Sequence, residues 1–369
     1  MTSTPPSRTT RSRDPASPRR ILSASSSPTP SRRPSCPSVI LWSSSVRSIP
    51  SPPRRPWPAS IPAERSCPSK SLAQNVCTMR SLEDLLCTET IWIGAHSVIY
   101  RAIDPATSNI YAVREVDCSE LSDDSVYFHM LRQEGPLLDS LEHSNIDSPV
   151  LYSADYDDNT LWLVFPLYKH GSLSDVLERF RKSNALPSVQ FIYSVMNALS
   201  RALQYLHTSA TFGDYTGFLH RNITSKSVFV ADDGTVLLSG FDFACPLTLL
   251  ADKEQLQVYG SRAYAPPELE DRVLTTASDV WALGCLVYEM CTCSLLFVDA
   301  VQESRKEFQI SDIALQTPEL SKLCQRMLSL DPTERITVDE ILEDQRVYSS
   351  SRTVLDLLPA GNPPPRVLQ

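Results

Sequence analysis

Apolar and polar residues alternate from Thr90 to Ala102, and again from Ile110 to Val116 beyond an Asp104-Pro105 turn. Period two is the mark of half-buried strands, so this stretch predicts two antiparallel strands, with an earlier one ending before Gly94. The unbroken apolar run from Leu161 to Tyr168 predicts a strand buried on both faces. Between Ser188 and His207 the period changes. Ile192, Val195, Met196, Leu199, Leu203 and Leu206 recur at the spacing of one helix face. Further on, Val228–Val230 and Val236–Leu238 flank an Asp233-Gly234 step, a strong hairpin signal. Such a hairpin brings two loops, 220–227 and 239–242, side by side at one end.

Composition divides the chain. Of its 369 residues, the first 80 carry 13 Lys and Arg against 2 Asp and Glu; the rest carry 21 against 41. Fifteen of the 29 prolines precede residue 71, and the first 80 residues hold no glycine. A segment so poor in large apolar residues cannot offset the entropy of ordering, so residues 1–80 are expected to form a disordered basic tail. Its Ser-Pro and Thr-Pro steps at Ser17, Ser27, Thr29 and Ser51 are candidate phosphorylation sites, and its charge suits an acidic surface. An Arg/Ser-rich, acid-poor start also resembles a transit peptide, but the prolines break an amphipathic helix. Met79 is a second candidate start. No apolar run is long enough for a membrane span, and the ten cysteines show no Cys-x-x-Cys spacing. Reduced thiols and a cytoplasmic location are the expectation.

The two loops carry the chemistry. They read His220-Arg221-Asn222-Ile223-Thr224-Ser225-Lys226-Ser227 and Gly240-Phe241-Asp242. This resembles the catalytic segment of the eukaryotic protein kinases, whose motifs are His-Arg-Asp-x-x-x-x-Asn and Asp-Phe-Gly. Other matches follow in order: Gly94 within the glycine loop, Ala112-Val113-Arg114 for Ala-x-Lys, Glu134 for its acidic partner, and Tyr264 to Glu268 for Ala-Pro-Glu. Asp279 to Gly284 and Leu330 to Thr337 match later motifs. The extra residues 208–217, followed by Leu219-His220-Arg221, are similar to the NIMA-related (NEK) kinases.

The resemblance implies an α+β, bilobal protein-kinase-like fold: a small antiparallel β lobe with one helix at 81–168, and a large, mainly helical lobe at 169–348. Residues 349–369 are expected to be a C-terminal tail. Gly135-Pro136 falls within the small lobe's helix, which is therefore expected to bend or to start late. Ile99, Ala112, Phe165, Tyr168 and Phe229 match the residues around the adenine, with Gly94 and Arg114 toward the phosphates. Trp92 and Ser97 stand where the family has glycine, and Trp92 is expected to fill space over the cleft. Glu134, Leu138, His220, Arg221, Phe241, Glu268, Asp279 and Arg335 match structural positions, with Arg114–Glu134 and Glu268–Arg335 as expected ion pairs.

Laid on the same pattern, the catalytic positions are degenerate. The base is Asn222, the catalytic-loop lysine is Thr224, and the two metal ligands are Ser227 and Gly240. Arg114 replaces lysine, and Asp242 is expected to be a solvated turn residue. No metal is expected, and no cofactor is assigned beyond ATP bound without magnesium. The leading reading is a NEK-like pseudokinase that acts as a scaffold or regulator of protein partners, such as an active kinase or a cytoskeletal component. Nucleic acid is not expected as a partner. Two alternatives stay open: an atypical serine/threonine kinase using Lys226, Asp242 or Arg114, and a nucleotide sensor without turnover. Thr248, Tyr259 and Ser261 are candidate acceptors of phosphate in trans, with Arg221 to meet it.

Overall fold

The computed structural model describes residues 81–359, apart from positions 95, 120, 122–125, 156–158, 252–259 and 299–314. The basic tail at 1–80 and Tyr259 lie outside the described residues.

Five antiparallel strands form the small lobe: β1 (Leu86–Ile93), β2 (Ser97–Ile103), β3 (Ile110–Asp117), β4 (Leu151–Asp155) and β5 (Thr160–Pro166). Their order is β1-β2-β3-β5-β4. Alternation on β3 sends Tyr111 and Val113 into an outer core with Tyr100, Ala102, Trp162 and Val164. It leaves Ala112 and Arg114 on the opposite face.

Helix α1 (Val126–Ser140) begins well ahead of Pro136 and includes it, in place of the late start expected. Proline removes one hydrogen bond, but this one falls near the end of the helix, where Leu137, Leu138 and Leu141 are anchored in the core. Gly135 has a packing reason. A β-carbon there would come within 2.9 Å of the Tyr152 ring on β4.

The large lobe is built on α2 (Leu173–Lys182), α3 (Val189–Thr208) and α4 (Thr276–Thr292). Ser172 and Asp175 close a capping box at the start of α2. Trp281, Leu283, Leu286 and Val287 of α4 are fully buried, and α4 packs on α3. After α3, the extra residues fold into a small hairpin, β6 (Thr211–Phe212) and β7 (Tyr215–Thr216), and β6 touches α1. A short β8 (Phe218–Leu219) leads into the loop at 220–227.

The expected hairpin forms from β9 (Val228–Val230) and β10 (Val236–Leu238), paired antiparallel with Phe229 opposite Leu237. Its turn receives the end of the described chain. Val354 N–H donates to Gly234 O at 2.9 Å, the Thr353 hydroxyl donates to Asp233 O at 2.9 Å, and the Val354 side chain is fully buried. Residues 353–357 are therefore part of the folded lobe, which corrects a tail beginning at 349. The buried Val354, with Leu357 and Leu358 packed against the core, supplies the hydrophobic surface that holds the segment down, while Leu355 is exposed. Among the described residues no helix is long and apolar enough to cross a membrane.

Candidate functional site

The hairpin holds its two loops in contact, and Asp279 at the start of α4 fixes the first of them. Its carboxylate accepts from the backbone N–H groups of His220 and Arg221, both at 2.9 Å, and lies 2.9 Å from His207 Nε2. Burial works against this charge. The hydrogen bond and charge of His207, with the N–H of His220, outweigh burial and hold the carboxyl below its ordinary pKa. Arg221 takes a positive φ of 65°, a conformation that a non-glycine residue keeps only when its surroundings enforce it. His207 was not singled out in the sequence. As the last polar residue of an otherwise apolar helix face, it carried a signal.

His220 is fully buried, its ring 4.6 Å from that of Phe241 in an edge-to-face contact. Nδ1 accepts from Asn222 N–H at 3.2 Å, and Nε2 faces Ser239 O at 3.1 Å. These roles require the neutral ring, and burial lowers its pKa accordingly. Phe241 and Leu138 lie in the same core, joining the loop at 239–242 to α1.

The positions matched to catalysis are occupied by internal bonds. The Ser227 hydroxyl donates to Asn222 O at 2.6 Å and accepts from Thr224 N–H at 2.9 Å. Both Thr224 and Ser227 are buried, whereas Lys226 is exposed. Gly240 has φ of 78°, and a β-carbon there would lie 3.2 Å from Ser227.

Asp242 is not a solvated turn residue. Its Oδ1 accepts from Arg114 Nη1 at 2.9 Å, and its side chain is 16% exposed. The same Nη1 donates to both oxygens of Glu134, at 2.9 and 3.0 Å. Phe241 is the reason: buried in the core, it orients the backbone so that the next side chain faces β3. Burial alone would destabilise the Arg114 cation, but Asp242 and Glu134 more than compensate and raise its pKa. Glu134, deeply buried, is pushed up by desolvation, against Arg114, with Asp242 adding to the rise. Arginine in place of lysine was the sequence signal for a second acid, since its longer side chain carries the charge further from β3.

Aromatic rings surround this cluster. Tyr127 of α1 stacks on Phe243 at 5.5 Å and meets the His96 ring edge-on at 6.1 Å. Trp92 is 44% exposed, and its indole lies over Gly94, where a β-carbon would come within 2.1 Å of it.

On the adenine side, Ile99, Ala112, Phe165, Tyr168 and Phe229 are all half-buried. The Tyr168 hydroxyl donates to Asp147 Oδ1 at 2.8 Å, and its ring lies 6.2 Å from Phe229. Asp147 is buried. Desolvation pushes its carboxyl up to about 7, against hydrogen bonds from Tyr168 and Ser239. Its N–H donates to Leu238 O, so it ties the strand leaving β5 to the base of the second loop. Asp147, directly after the Asn145-Ile146 step, also went unremarked in the sequence. Below the loops, Ser225 and Tyr264 both donate to the buried Glu289. A small pocket of about 30 Å³ lies beside them, lined by Arg221, Asn222, Thr224, Tyr264, Pro266 and Asp279 among others. Glu268 and Arg335 meet through two hydrogen bonds of 2.7 and 3.0 Å.

A two-lobed fold with these loops in the cleft defines the protein kinase architecture, and the protein kinase domain profile matches residues 87–347. The chain belongs to the protein kinase family. It is 28% identical over 262 residues to the serine/threonine-protein kinase Nek2 of Homo sapiens, covering 69% of this chain and 58% of that protein. It is 31% identical over 201 residues to cell division control protein 7 of Schizosaccharomyces pombe, covering 53% of this chain and 17% of that protein. Aurora kinase of Debaryomyces hansenii is 26% identical over 227 residues, 60% of this chain and 52% of its own length. The chain thus spans about half or less of these relatives.

Proposed function

We propose that this kinase domain is a NEK-like pseudokinase that works by binding other proteins rather than by transferring phosphate. The observation that carries the reading is the Arg114–Glu134–Asp242 cluster: beyond the acid of α1, the Arg114 cation is also held by a second acid, Asp242, on the loop where Gly240 stands in place of a metal ligand. Asn222 has no negative charge to receive a hydroxyl proton, and loss of a general base costs about 10²–10⁴ in rate. Gly240 has no side-chain ligand, and the Ser227 hydroxyl is committed to Asn222 O. Without metal ligation a further several kcal/mol of charge stabilisation is lost.

On this reading residues 81–168 and 169–348 are the two lobes, and the acidic folded region with its basic tail presents surfaces to protein partners. An active kinase and a cytoskeletal component are the partner classes, and the cytoplasm the location, that fit the NEK likeness. The test is phosphate incorporation by the purified full chain from ATP with magnesium or manganese. None is expected. Incorporation that Arg114→Ala abolishes overturns the proposal.

A second reading, an active serine/threonine kinase, has the support of its relatives, which carry that description. It requires Asp242 to leave Arg114 and hold magnesium. Thermal shift separates the readings: stabilisation by ATP only with magnesium favours the enzyme, stabilisation without metal favours a nucleotide sensor, and no shift favours the scaffold.

A further inference from the structure

We infer that the Arg114 guanidinium takes the place of a bound nucleotide and metal as the link that closes the cleft, so that the two lobes are locked together with no ligand present. Three separate elements converge on one nitrogen. Arg114 comes from β3, Glu134 from α1, and Asp242 from the loop after β10, 128 residues further along the chain than Arg114. The three side chains are 16%, 1% and 16% exposed, so solvent screens the contacts little.

Asp242 lies two positions beyond Gly240 and reaches the cation because Phe241 is held in the core against His220. All three bonds run through Nη1, so it is the length of the arginine side chain, greater than that of lysine, that brings one charged nitrogen to Glu134 and Asp242 at once. With Glu134 and Asp242 both bonded to it, the Arg114 cation is already engaged by groups of the protein itself. Other groups face the cluster: Tyr127 from α1, stacked on Phe243, and His220 from the first loop. None of them supplies a second full positive charge, since the buried His220 is neutral. The consequence is a surface whose α1 position does not depend on ATP. The inference rests on the non-catalytic reading only for the absence of a required ligand.

Hydrogen exchange, followed by mass spectrometry on the full chain with and without magnesium and ATP, tests it. In the parent, the amides of α1 are expected to exchange slowly and at one rate under both conditions. Asp242→Asn should speed exchange in α1 and β3 about tenfold, equivalent to about 1.4 kcal/mol, while α3 is unchanged. Arg114→Lys, which keeps the charge but shortens the side chain, should give the same local pattern. The lock is overturned if both variants leave α1 at the parent rate, if α3 accelerates equally, or if α1 of the parent slows only when magnesium and ATP are added. Phosphate transfer by the parent would overturn the proposed function instead, and is measured separately from exchange.

Discussion

Arg335 and Glu268, 67 residues apart, form a two-pronged ion pair sealed beneath the Trp281 ring, with the Arg335 side chain wholly buried. Ser278 donates to Glu268, and Arg335 also donates to Ala277 O and Ser329 O, so neither charge depends on its partner alone. Removing one member of such a pair strands the other in a low-dielectric interior. Arg335→Met is expected to cost roughly 3–5 kcal/mol, whereas Arg335→Met combined with Glu268→Leu should recover much of that loss. Urea denaturation of the two variants checks both.

Asp147 makes stability fall as pH rises. Its folded carboxyl holds a proton up to about pH 7, whereas in the unfolded chain it releases it near the ordinary aspartate value of 3.8. The folded state therefore binds more protons between those values. The contribution is fully present below the lower pH and is lost as pH climbs through the upper one. Asp147→Asn keeps an acceptor for the Tyr168 hydroxyl and removes the titration. The variant should melt above the parent at pH 8, by roughly 2–4 °C for each kcal/mol of relieved burial, and the difference should vanish at pH 4. Melting curves across this range decide it.

Gly135 and Gly94 predict opposite sensitivities. A methyl group at Gly135 meets the Tyr152 ring on β4, which packs against the core. Gly135→Ala should therefore cost about 1–3 kcal/mol, as overpacking does. At Gly94 the obstacle is the exposed Trp92 indole, which can swing away. Gly94→Ala should stay within about 1 kcal/mol. Thermal melts of the two variants order them.

Much of this structure is legible in the chain. Period-two alternation located β2 and β3, period 3.6 located α3, and Asp233-Gly234 located the turn, because each depends only on local geometry. The spacing of Glu134 from Arg114, and of Arg335 from Glu268, pointed to both ion pairs through their resemblance to known motifs. What stayed hidden depends on where a side chain turns in three dimensions. Asp242 reads as a polar turn residue until Phe241 is seen to be buried and the backbone direction is set. Asp147 and His207 gain meaning from Tyr168 and Asp279, partners far away in sequence. Pro136 argued by local propensity for a bend or a late start, and the packing of Leu137 and Leu138 holds it inside a helix that starts at Val126.

Val354 ties the end of the described chain to the turn between β9 and β10, and so to the base of both cleft loops. Its side chain is wholly buried, and its N–H bonds Gly234, whose φ of 83° only glycine adopts readily. Val354→Ala removes two methyl groups from the core and should cost about 2 kcal/mol. Gly234→Ala should cost more, since a β-carbon there would also lie 2.6 Å from Leu355 N. If the segment braces the hairpin, both variants should speed hydrogen exchange in β9 and β10 while sparing β1 and β2. Equal acceleration in the small lobe would show that the segment supports overall stability rather than the cleft loops.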